Sequence, residues 1–159
     1  MKRKNKTYIV IGVIISVLIL SSYIYEKITE PFPSKRPTVN IKYQGNKLYT
    51  KSGDENWFNP KFGGNSAMRG SPYEIGKEMD TFYANPGDTI EVSFSLKPKE
   101  VYIVNLEDKP RKDCDEKKLG SSNKYSIELP SEKGEYIIEI YGRWDSTHTS
   151  SNIFKVTIQ

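Results

Sequence analysis

Thr89-Ile90-Glu91-Val92-Ser93-Phe94-Ser95-Leu96 is the stretch whose reading decides the fold. Successive side chains of a strand point to opposite faces, so Ile90, Val92, Phe94 and Leu96 share one face while Glu91, Ser93 and Ser95 share the other. That alternation predicts a half-buried strand, entered from the turn Asn85-Pro86-Gly87-Asp88. The same rhythm recurs in residues 38–43, with Val39, Ile41 and Tyr43 inward, and in residues 125–129 and 153–158. Residues 101–106 and 136–141 are more continuously apolar, as central strands covered on both faces must be. Short candidates at 47–50 and 81–84 bring the count to about eight strands, a number and spacing that predict a sandwich or barrel. Between the short candidates, residues 52–77 lack periodicity and predict a long irregular loop.

Two stretches carry a family resemblance. Asn85-Pro86-Gly87-Asp88-Thr89-Ile90 and Leu129-Pro130-Ser131-Glu132-Lys133-Gly134-Glu135-Tyr136-Ile137-Ile138-Glu139-Ile140 together resemble immunoglobulin-like or fibronectin type III-like sandwiches. The resemblance implies an antiparallel β-sandwich in which Tyr136 hydrogen-bonds back across a corner of the chain. Trp144 and the closing Phe154-Lys155-Val156-Thr157-Ile158 also resemble small surface proteins of Gram-positive bacteria. The chain departs from antibody-type domains at Ile138, which stands where the second bridging cysteine would be. With Cys114 the single cysteine, stability has to come from the core.

The N-terminal end reads differently. Met1-Lys2-Arg3-Lys4-Asn5-Lys6 precedes an uncharged, mostly apolar run over residues 8–25, and a bilayer-spanning helix needs about 20 apolar residues. The run closes on Leu20-Ser21-Ser22-Tyr23, a poor peptidase site with no cysteine to lipidate, so the expectation is an uncleaved transmembrane signal-anchor. The expected organisation is a cytoplasmic basic tail (1–7), a membrane helix (8–25), a proline-rich stalk (26–37) and an extracytoplasmic sandwich (38–159). With Lys2, Arg3, Lys4 and Lys6 set aside, the 24 basic residues fall to 20 and match the 20 acidic ones. No basic stripe remains to suggest a nucleic-acid partner.

Cys114 lies in Asp113-Cys114-Asp115-Glu116. An odd cysteine in an oxidising compartment raises a homodimer bridged through Cys114, against the alternative of an exposed loop thiol. The acidic residues there lack the spaced oxygen ligands and glycine of a calcium loop, and neither a metal nor any other cofactor is expected.

Asp145-Ser146-Thr147-His148-Thr149-Ser150-Ser151 invites comparison with a hydrolytic triad. All of it falls in one short hairpin region, so an envelope hydrolase using Asp145 and His148 is the alternative and not the first reading. Candidate contact residues come from residues 52–77, which carry Trp57, Phe58, Phe62, Arg69 and Tyr73, and from Trp144 and His148 in the later hairpin. Trp57 and Phe62 have a second reading as caps over the open end of the sandwich. The function expected from the sequence is a non-catalytic binding module at the cell envelope, whose partner is a protein, a wall polymer or a second copy.

Overall fold

The computed structural model describes residues 2–29, 32–59 and 63–159. Two antiparallel sheets face each other. The first, sheet A, has the order β2-β1-β6-β9, built from Val39–Tyr43 (β1), Asn46–Lys47 (β2), Thr89–Phe94 (β6) and Lys124–Glu128 (β9). Sheet B runs β4-β3-β11-β10-β7-β8, from Lys51–Asn59 (β3), Gly63–Ala67 (β4), Glu100–Leu106 (β7), Asp115–Gly120 (β8), Gly134–Arg143 (β10) and His148–Ile158 (β11). Thr81–Ala84 (β5) joins it by pairing in parallel with the last third of β11.

The alternation in β6 is realised as read, with Ile90, Val92 and Phe94 buried and Thr89 and Glu91 exposed. These residues meet Val101, Ile138, Ile140, Phe154 and Val156 from sheet B in one apolar core. A second, smaller core lies on the outer face of sheet B, where Met79, Val104, Leu106, Ile137 and Ile153 pack beside the short helix Pro72–Lys77 (α2). Double coverage at that end explains the continuous apolar runs of β7 and β10. At the corner leading into β10, the Tyr136 hydroxyl donates to the Glu132 carbonyl at 3.0 Å, the bond the resemblance implied.

Several expectations are corrected. Residues 52–77 are not an irregular loop, because their described part forms β3, β4 and α2. Phe62 lies outside the described residues. Cys114 is neither exposed nor placed to bridge two chains: it is 8% exposed, belongs to the smaller core, and its thiol donates to the Pro110 carbonyl at 3.7 Å. A thiol reagent should therefore label native protein far more slowly than protein in denaturant. Immediate stoichiometric labelling of the native chain, or a disulfide dimer on a non-reducing gel, would contradict this burial.

Residues Lys2–Thr29 form a helix (α1), and the side chains of its central part are exposed. Among the described residues, however, no helix is long and apolar enough to cross a membrane. The single-pass membrane placement, with a cytoplasmic N-terminus and an extracytoplasmic domain, is corrected on that ground. The expected stalk also differs from a free spacer over its described part. Phe32 packs on His148 at 4.6 Å between ring centroids, the Pro33 carbonyl accepts from Trp57 Nε1 at 2.8 Å, and Pro37 is buried.

Candidate functional site

The residues singled out in the sequence do not converge on one surface. Trp57 is 3% exposed and Trp144 4%; their rings meet edge to face at 5.2 Å, and Trp57 contacts His148 at 4.7 Å. Together with Phe32 they close one end of the sandwich, the capping role weighed for Trp57. Phe58 is exposed, on the opposite face of β3 from Trp57. Arg69 forms an ion pair with Glu55 at 3.4 Å, and its backbone N–H donates to Asp54 at 3.0 Å. Tyr73 sits on α2 against the smaller core, with Lys77 Nζ 5.5 Å from its ring centroid.

Asp145 and His148 do pair, with His148 Nδ1 2.9 Å from Asp145 Oδ1. Yet Asp145 also accepts the Thr147 backbone N–H at 2.7 Å and the Thr147 hydroxyl at 3.1 Å, which are bonds that close the turn. Burial pushes the Asp145 carboxyl up, but the donors from Thr147 and His148 outweigh it and leave the group below its ordinary range. The imidazole is held between Phe32 and Trp57, and no serine hydroxyl is bonded to it among the described residues. This pair serves the hairpin and the aromatic cap.

A different cluster emerges on the outer face of sheet B. In β10 the side chains of Ile137, Glu139, Tyr141 and Arg143 alternate with the core residues Ile138 and Ile140 and so face outward. Ile137 is covered by the smaller core, whereas Glu139 and Tyr141 floor an open cleft of about 280 Å³. Thr149 from β11, Asn56 from β3 and Ser66 from β4 line one side, and Arg111 from the β7–β8 connection lines the other. Beside the cleft, β11 and β3 slip register between Ser150 and Asn152. Gly53 sits in that irregularity, and a Cβ there would fall 2.2 Å from Ser151 Oγ.

Glu139 is only 1% exposed. Its Oε2 accepts from Arg111 Nε at 2.6 Å, and the guanidinium also lies 4.9 Å from the Tyr141 ring centroid and 3.2 Å from Glu116. Oε1 has no hydrogen-bond partner among the described residues, and Arg111 Nη2 is buried without a well-directed hydrogen bond. Burial pulls the Arg111 guanidinium down, but the carboxylates of Glu139 and Glu116 raise it above its ordinary value, so the guanidinium stays charged at neutral pH. The cleft therefore offers one acceptor with unused capacity, Glu139 Oε1, beside a guanidinium whose Nη2 is buried against Glu116.

Next to it on the same face, Glu100 takes Lys118 Nζ at 2.5 Å and Arg143 Nε at 2.7 Å, beside the rings of Tyr102 and Tyr141. Hydrogen bonds first from Lys118 and then from Arg143 pull the Glu100 carboxyl from 4.5 to about 2. A depressed carboxyl stabilises the fold above its unfolded value, and that contribution disappears as the pH falls toward its folded value. Urea midpoints of the parent should thus fall more steeply than those of Glu100→Gln between pH 4.5 and about 2. Parallel curves would show that the triplet contributes nothing.

The sequence reading missed Glu139, Arg111, Tyr141, Asn56, Ser66 and Thr149. The one available signal was Glu139 itself, a lone charge inside the apolar strand Tyr136-Ile137-Ile138-Glu139-Ile140-Tyr141. Among the described residues there is no group of three or more His, Cys, Asp or Glu side chains placed to hold a metal ion.

No protein-family model matches the chain. No curated protein matches it either. Among solved structures, the crystal structure of a chitin binding domain from Burkholderia pseudomallei is similar, with a TM-score of 0.41 and 12% sequence identity, over 86% of this chain and 93% of that one.

Proposed function

We propose that the chain is a non-catalytic binding module that receives its partner on the outer face of sheet B. The domain is read as immunoglobulin-like, supported by the strand order of the two sheets, the parallel β5–β11 pairing and the Tyr136 corner bond. One observation carries the functional reading: the nearly inaccessible Glu139, paired with the part-exposed Arg111, flanks an open cleft and keeps its Oε1 unbonded among the described residues. Burying charge is costly unless the geometry is complete, so an incomplete pair beside a cleft favours a ligand that completes it. Hydrolysis through Asp145 and His148 lacks such support, since their bonds are consumed by the turn.

Met68 provides the test, because it lines the cleft and is 90% exposed. A photoreactive methionine analogue at position 68 of the full-length chain, irradiated in intact cells, is expected to give a discrete adduct. The same group at Tyr83, which is 59% exposed on β5, serves as the control surface and is expected to give none. Equal labelling from both positions, or none from Met68, contradicts the module reading. Turnover of a polymer that disappears in His148→Ala contradicts it from the other side.

A further inference from the structure

The chemistry of the cleft selects among partners. We infer that it is a subsite for a single uncharged sugar residue, an inference that rests on the binding-module reading above.

The lining combines donors and acceptors at short range. Glu139 Oε1 is an open acceptor, the part-exposed Arg111 side chain lines the opposite side, and Asn56, Thr149 and Ser66 each supply both donors and acceptors. Vicinal hydroxyls, each donor and acceptor at once, match such a set, and planar carboxylate and guanidinium groups can engage two neighbouring oxygens together. Tyr141 adds an apolar ring to the floor, suited to the C–H face of a pyranose.

Other ligand classes fit worse. An anion would meet Asp54, Glu55 and Glu139 with Arg111 the only cation among the lining residues. A strongly apolar group would strip water from the open oxygen of Glu139 without replacing the bond. A metal has too few ligands among the described residues. Size narrows the choice further, because a cleft of about 280 Å³ falls just below the ~300–1,000 Å³ of pockets that hold drug-sized molecules. One ring fits, and a longer glycan would extend outward past Met68 or toward Tyr102.

Calorimetric titration of the full-length chain tests the assignment, with three tetrasaccharides as probes: cellotetraose, tetra-N-acetylchitotetraose and the anionic tetragalacturonate. At least one neutral probe should bind and tetragalacturonate should not. Asn56→Ala should weaken the neutral probe about 3- to 10-fold, as expected for a lost neutral hydrogen bond. Glu139→Gln should weaken it about 10- to 100-fold, as expected for a charge-assisted one. Asn56 joins the sheet through its backbone and lines the cleft with its side chain, so Asn56→Ala keeps the strand pairing and reports on the cleft even where Glu139→Gln perturbs folding. Failure of both neutral probes to bind, tighter binding of tetragalacturonate, or unchanged affinity in Asn56→Ala overturns the subsite. A protein adduct at Met68 combined with no saccharide binding removes this inference while leaving the module reading in place.

Discussion

Trp57→Ala should cost the domain about 3–5 kcal/mol, the range for deleting a large buried aromatic side chain. Trp57 is 3% exposed and connects three elements at once. Its ring meets Trp144 from the turn after β10 at 5.2 Å, His148 from β11 at 4.7 Å and Phe32 from the segment before β1 at 6.0 Å. Its Nε1–H donates to the Pro33 carbonyl at 2.8 Å. Removing the indole opens a cavity and also loosens the Phe32 segment, which keeps its contact with His148 but loses the Trp57 ring and the Pro33 hydrogen bond. With typical domains stable by only about 5–15 kcal/mol, the variant should stand near the edge of folding. Trp57→Phe keeps most of the apolar contact and should cost less, about 1–2 kcal/mol beyond the lost volume, for the missing hydrogen bond. Urea unfolding followed by circular dichroism gives both values. A Trp57→Ala variant within about 1 kcal/mol of the parent would show that the cap is not packed as described.

The second large effect belongs to Arg111. Arg111→Ala leaves the almost inaccessible Glu139 without its partner, and breaking a buried pair by removing one member typically costs about 3–5 kcal/mol. The Arg111 side chain is about one-third exposed, so water entering its place offsets part of the penalty and the expected loss is about 2–3 kcal/mol. Adding Glu139→Gln removes the stranded charge, so the double variant should recover part of that loss. The recovery separates the cost of an unpaired charge from the cost of lost contact with Tyr141, which no change at Glu139 restores. Simple additivity of the two substitutions would contradict the coupling shown by the 2.6 Å bond.

The sheet framework was legible because its buried positions are apolar. Ile90, Val92 and Phe94 announce β6 by alternation, and Gly134 followed by Tyr136 marks the corner into β10. β3 escaped because its buried positions are Gly53, Glu55 and Trp57, and two of these three carry no apolar side chain. Glu55 is tolerated there through ion pairs with Arg36 and Arg69, partners that no local pattern reveals. β8, Asp-Glu-Lys-Lys-Leu-Gly, is an edge strand whose charged residues are exposed, and charge on an edge discourages pairing with other chains while erasing the alternation that would identify it. Helix α2 is too short for a period to show.

The candidate site was less legible still. Asn56, Arg111, Glu139 and Thr149 are dispersed along the chain and come together only through the β3–β11–β10 pairings and the connection after β7. Attention went instead to aromatics, and the two tryptophans proved to be core. In this sequence a large aromatic group beside glycines marked packing, and a single acid in an apolar strand marked the cleft.

Hydrogen–deuterium exchange on the full-length chain, with and without a saturating neutral tetrasaccharide, tests the central claim most directly. Slowed exchange confined to β3, the end of β4 and the outer half of β10 around Glu139 and Tyr141, with the Asp145–His148 turn unchanged, is the result this account predicts. Protection centred on the Trp57, Trp144 and His148 end of the sandwich, with the Glu139 cleft unaffected, would contradict it.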